Sequence, residues 1–249
     1  MGKIDDALRE AIAPVPLQAG RWRGGEWRKI DEEAAREVCL RILHEGGETR
    51  LWACPHEGAE LAAGHVLLDC LHDAATDCPS ARGIPPVEAR ERDGVWRVVL
   101  LPSAAVPRAK ANFAMPAPAA ILARMDEFVR LPGFWGGASC HHRAALFHAA
   151  TGRLARLTED IGRHNCLDRL AGHIALSGGS GQMDPAEYIL FVTARISASL
   201  YCKARRLGVG RMVSRTAVTS ASIEMARKHG VTLIGFCRPE EDRFVVFSE

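Results

Sequence analysis

The second half of the chain alternates between two hydrophobic rhythms, and that alternation limits the available folds more than any other feature. Strand-like apolar runs stand at 144–149, 153–157, 188–193, 211–213 and 231–236, with helix-like stretches at 165–176, 197–207 and 219–229. The loops between them are short. Such a series predicts an α/β architecture with a largely parallel sheet and helices on both faces. Gly230 stands where a helix C-terminal glycine belongs, just before the last of these strands.

The first half reads as mixed and mostly antiparallel. VCLRILH and TRLWAC flank Glu45-Gly46-Gly47 as a hairpin, and Pro55 ends the second strand before a helix over 57–72. VEARER and VWRVVLL flank Asp93-Gly94, a stronger hairpin signal. Pro102, Pro107, Pro116 and Pro118 then preclude any regular element and mark a long connection. The expected organisation is an N-terminal segment over 1–35, a smaller α+β domain with hairpins over 36–115, and an α/β domain over 116–249.

A chain of 249 residues, 47% apolar and 25% charged, has the composition of a globular protein with a sizeable core. Its net charge of +2 leaves no global footprint for nucleic acid, so any basic site must be local. The N-terminal MGKIDDALREAIAPVPLQ carries acids where a signal peptide carries apolar residues, and EYILFVTA is too short to span a bilayer. A cytoplasmic protein without membrane or nucleic-acid partners is expected. Eight cysteines at irregular spacings, none in Cys-x-x-Cys, suit reduced thiols rather than a metal site.

In open α/β sheets, ligands collect where strands end and helices begin. Here those loops share a chemistry. The strand at 153–157 leads through Glu159, Asp160 and Gly162 into Arg163 and His164; the next leads to Arg195 and Ser197, a candidate N-cap. The following loops hold Ser214-Arg215-Thr216 and Cys237-Arg238-Pro239. Each supplies an arginine, whose fork of donors matches phosphate, and helix N-termini add backbone donors. Any one such loop is an ordinary polar surface. Four in succession point to a shared polyanionic ligand, with Glu159 and Asp160 either orienting the arginines, binding amino groups or forming structural ion pairs.

These residues resemble a known family. TEDIGRHNCLDRLAG is similar to the "E-D-[IV]-G-R-H-[NV]-A-L-D-K" pattern of the formate dehydrogenase accessory sulfur carriers, the FdhD/NarQ family. TARISASLYCKA, VSRTAVTSASIEMA and LIGFCRPEEDRFVVFS follow the family's later segments in order, and CPHEGAELAAGHVLL resembles an upstream one. The resemblance implies a cytidine-deaminase-like, three-layer α/β/α larger domain and a homodimer. It also implies maturation of a molybdenum or tungsten formate dehydrogenase. In that role a cysteine desulfurase passes sulfur to the carrier as a persulfide. The carrier then sulfurates the bis(molybdopterin guanine dinucleotide) molybdenum cofactor before insertion into the formate dehydrogenase apoenzyme. The family's C-terminal cofactor-binding stretch falls on Phe236, Cys237, Arg238, Pro239, Glu240 and Glu241, the last two with side chains expected to point away from an anion.

The chain departs from the family at the sulfur nucleophile. The position of its mobile Cys-Gly-x-Cys loop is taken by KANFAMPAPAA, which has no cysteine, and the Met115 thioether cannot carry a persulfide. Cys140, in GGASCHHRAAL, is the candidate that remains, because His141, His142 and Arg143 follow it and cations stabilise thiolate. Cys166 and Cys202 fall inside helices. Ser199 stands where the family segment often has glutamate. Two readings stay open: a sulfur carrier working through another thiol, or a chaperone or scaffold for the cofactor or a guanine nucleotide that has lost sulfur transfer. A zinc deaminase would need His-x-Glu followed by Pro-Cys-x-x-Cys, and the sequence has neither.

Overall fold

Glycine-centred turns set the first half of the molecule. Asp93 and Gly94 both adopt positive φ, 54° and 73°, as a tight hairpin turn requires, and join β5 (Val87–Arg92) to β6 (Val95–Leu100). Gly24 and Gly25 do the same, at 63° and 91°, for β1 (Val15–Arg23) and β2 (Glu26–Ala34), a hairpin not anticipated in the N-terminal segment. The computed structural model describes residues 12–71, 84–102, 115–135, 140–177 and 183–249. Residues 110–114, the first part of the segment read as the position of the sulfur loop, lie outside them. Met115, within them, packs on an apolar cluster.

Strands β3 (Val38–His44) and β4 (Gly47–Ala53) form the expected antiparallel hairpin, and β3 pairs with β6 in parallel. The resulting four-stranded sheet has the order β4-β3-β6-β5. Helix α1 (Gly58–His65), extended by a wider π-type turn over Val66–Cys70, covers its apolar face.

The second half places β7 (His142–His148), β8 (Leu154–Asp160), β9 (Tyr188–Val192), β10 (Arg211–Ser214), β11 (Thr232–Arg238) and β12 (Arg243–Ser248) in one sheet, order β12-β11-β10-β9-β7-β8. The expectation of a largely parallel sheet is corrected: only β9, β10 and β11 run parallel, and β7, β8 and β12 are antiparallel to their neighbours. The reason is local. Gly152, at φ 66°, reverses the chain between β7 and β8 without a crossover helix. Helices lie on both faces, as the rhythm predicted. Ile121, Met125 and Phe128 of α2 (Pro118–Arg130) meet Ala145, Phe147, Phe191, Val213 and Ile234 on one side. On the other, α3 (Arg163–Leu176), α4 (Ala198–Leu207) and α5 (Ser220–His229) meet Ala144, Leu146, Leu190, Val192, Met212 and Leu233.

That second cluster continues without a break into the residues under the four-stranded sheet, through α1 and α3. The two helices touch backbone to backbone. A Cβ on Gly64 would lie 1.7 Å from the Asp168 carbonyl oxygen, and one on Gly172 would lie 1.8 Å from that of Glu60. Beside this crossing sits a charged junction of three helices. Lys203 Nζ lies 2.7 Å from Asp168 and 2.8 Å from Asp69, and His65 Nδ1 is 3.2 Å from Asp69. His65 makes close ion pairs here rather than an aligned hydrogen bond. Burial opposes its charge, but the Asp168 and Asp69 carboxylates outweigh it and raise its pKa from 6.5 to about 11. Its stabilising effect is therefore complete below pH 6.5 and is lost as the pH climbs towards about 11.

Because neither glycine has room for a methyl group against rigid backbone, Gly64→Ala and Gly172→Ala should each destabilise the fold by about 3 kcal/mol or more. Urea denaturation measures this; a loss below ~1 kcal/mol in both would show that the crossing is not tight.

Candidate functional site

The antiparallel course of β7 and β8 brings the start of one and the end of the other to the edge where β9, β10 and β11 finish. His142 pairs with Asp160, and Ala144 pairs with Val192. The expected loops thus share one edge and are stitched into a ladder. Ser214 Oγ donates to Ala194 O (2.8 Å), Arg215 N to Val192 O (3.0 Å), and Phe236 N to Thr216 O (2.8 Å). Ser197 caps α4 by accepting from Leu200 N, and Thr219 with Ser222 forms a capping box on α5. Phe236 holds a left-handed backbone, φ 51°, where β11 bulges, and Pro239 opens a 3₁₀ turn over Pro239–Glu241. Ser197 and Ser214 are therefore parts of the frame.

Helix α3 is different. Its N-cap is Gly162, which has no side chain to cap with, and a Cβ there would lie 2.7 Å from Asn165 Nδ2. Asn165 folds back into that space, donating to Asp160 Oδ1 and to Trp52 O at 2.9 Å each. The first turn keeps free amides beside Arg163, whose Nε is buried without a hydrogen-bond partner. Burial lowers the His142 pKa, and the charges of Arg163 and Arg195 lower it further. Arg195 is exposed. Burial likewise lowers His164, with Lys203 and Arg163 adding to it. Both imidazoles are neutral at neutral pH.

The other two arginines are engaged. Arg215 forks onto Glu240 (2.6 and 3.0 Å), and Arg238 binds Glu241 (2.7 Å). Glu240 and Glu241, expected to point their side chains away from an anion, pair with two of the edge's cations. Cys237 also departs from its expected place. Its side chain is fully buried in the apolar cluster under α2, and burial raises its thiol to about 12.

The sequence left the roles of Glu159 and Asp160 open. Both serve structure, through Arg143, read from sequence only as a cation beside Cys140, and Arg169, which it did not single out. Glu159 accepts from Arg143 Nε (2.7 Å) and from the amides of Phe134 and Trp135 (2.8 Å each). Asp160 accepts from Arg169 (3.0 and 2.5 Å) and from Gly162 N (2.8 Å). The available signal was Arg143 inside the otherwise apolar run HRAALF.

Cys140 precedes β7 at the same edge. It is exposed, with Sγ 3.8 Å from His141 Nδ1. Burial lowers the His141 pKa against the pull of Glu159 and Asp160. A cleft of about 170 Å³ opens beside it, lined by Cys54, Pro55, Phe134 and His141 and, from the base of the β1–β2 hairpin, Pro14 and Arg36. Cys166 is buried, its thiol far above the ordinary range through burial and the neighbouring Asp160. Among the described residues, His65, Asp69 and Asp168 are grouped closely enough for a cation, but the Lys203 ammonium already lies against both carboxylates.

The FdhD/NarQ family model matches residues 97–249. Sulfur carrier proteins FdhD of Chromobacterium violaceum and Bacillus subtilis are 37% and 36% identical over 121 residues, 49% of this chain but only 43% and 44% of theirs. Their counterpart in Methanothermobacter thermautotrophicus is 27% identical over 90% of this chain and 92% of its own. A crystal structure from Desulfotalea psychrophila, described as a formate dehydrogenase accessory protein, shares the fold with TM-score 0.74. It is 23% identical and aligned over 95% of this chain and 97% of its own.

The His142 environment makes a sign-definite prediction. Removing the nearby cation in Arg163→Ala should move the His142 titration upward towards 6.5, followed by histidine NMR. An unmoved titration would place Arg163 away from the ring.

Proposed function

Because the chain belongs to the FdhD/NarQ family, we propose that it matures a molybdenum or tungsten formate dehydrogenase by holding the guanine-dinucleotide cofactor at the edge described above. A cytidine-deaminase-like larger domain and a homodimer are part of this reading. The observation that carries it is the uncapped start of α3, with the unpartnered Arg163 Nε, at the same sheet edge as Arg195 and His142. Phosphate fits that donor set: a fixed fork, a helix N-terminus and no unspent carboxylate, since Asp160 is committed to Arg169. Guanosine diphosphate should bind the whole chain measurably by calorimetry. Arg163→Ala and Arg195→Ala should each weaken it about tenfold, ~1.4 kcal/mol. Unchanged affinity in both would remove them from the site.

Sulfur transfer through Cys140 agrees with its exposure and with His141 as proton acceptor. The Cys140 thiolate attacks the terminal sulfur of the desulfurase persulfide. One S–S bond forms as another breaks, and the donor cysteine leaves as thiolate. The absence of cysteine from 110–120 favours the second reading, a chaperone that binds the cofactor without carrying sulfur. Mass spectrometry separates them. After incubation with a cysteine desulfurase and cysteine, one added sulfur atom should appear, persist in Cys39→Ala and vanish in Cys140→Ala. No added sulfur on any cysteine would leave the chaperone alone.

A further inference from the structure

The β1–β2 hairpin stands apart from the packing rules kept elsewhere in the molecule. Its nine-residue strands pair along their whole length, from Val15 with Ala34 to Arg23 with Glu26, an arm about 30 Å long. Every residue in it is exposed except half-buried Ala19 and Ile30. A two-stranded hairpin with uncovered faces is marginal in water. This one also exposes Trp22 by 57% and Trp27 by 71%, with ring centroids 5.5 Å apart. Such rings are what interface cores are built from.

Pairing register and strand alternation define the face that carries them. From tip to base its rows are Trp22 with Trp27, Gly20 with Lys29, Gln18 with Asp31, and Pro16 with Glu33. Charge is segregated along the arm. On this face Lys29 stands in the outer half and Asp31 and Glu33 in the inner half, while Arg21, Arg23, Glu26, Arg28 and Glu32 alternate onto the opposite face.

We propose that this face is where two copies of the chain associate, their arms lying antiparallel across a twofold axis between the Gly20–Lys29 and Gln18–Asp31 rows. Each tryptophan pair then rests on the partner's Pro16 and Glu33, and each Lys29 meets the partner's Asp31. A twofold contact requires this self-complementarity, and a second copy supplies it without any other partner. Gly20 leaves the centre of the face flat. The proposal rests on the homodimer reading above and gives it a surface. It also sets the contact next to the cleft lined by His141, which the base of the arm helps to form.

Sedimentation velocity of the full chain at micromolar concentration tests it. The wild type should sediment as a dimer, and Trp22→Ala with Trp27→Ala as a monomer with unchanged circular dichroism. Lys29→Asp and Asp31→Lys should each raise the dissociation constant at least tenfold, and mixing the two should restore a heterodimer. A wild-type monomer would overturn both the dimer and this surface. A dimer indifferent to all of these changes would overturn the surface alone.

Discussion

One buried guanidinium holds the two halves of the molecule in register. Arg169, in the middle of α3 and fully buried, binds Asp160 at the end of β8 and also donates to the carbonyl oxygens of Cys54 (3.0 Å), His56 and Glu57 (3.0 Å). Those carbonyls belong to the turn between β4 and α1, so one side chain completes the hydrogen bonding of a loop from the other half. A charge without solvent is tolerable only when every donor is used and a carboxylate balances it. Here both conditions are met. The apolar continuity through α1 and the glycine crossing follow from the approach that this clasp fixes.

The sequence revealed the layers well because their cause is local. Helices α3, α4 and α5 and strands β7 to β11 stand within a few residues of the positions read from apolar spacing. Strand direction was less legible, since spacing alone does not say whether a connection crosses over; Gly152 decided it for β7 and β8. The β1–β2 hairpin escaped notice because it buries no face and so has no apolar alternation. Its Gly24-Gly25 turn was the surviving signal.

At the candidate site, composition was legible and pairing was not. Arginines stand in all the loops foreseen, yet Arg215 and Arg238 are held by Glu240 and Glu241, carboxylates that lie close in space but say nothing of it in sequence. Spacing also could not show that Glu159 and Asp160 serve Arg143 and Arg169. The field left at the edge is narrower than a crowd of cations: Arg163, Arg195 and the amides of one helix start.

Asp160 has a further consequence, because its two oxygens face different tasks. Oδ1 receives the Gly162 amide and the Asn165 side chain at the head of α3, and Oδ2 receives Arg169 at the seam between the halves. A shift of a few tenths of an ångström at the helix head is thus felt by the group from which the opposite half hangs. The head of α3 and the seam between the halves share a single carboxylate.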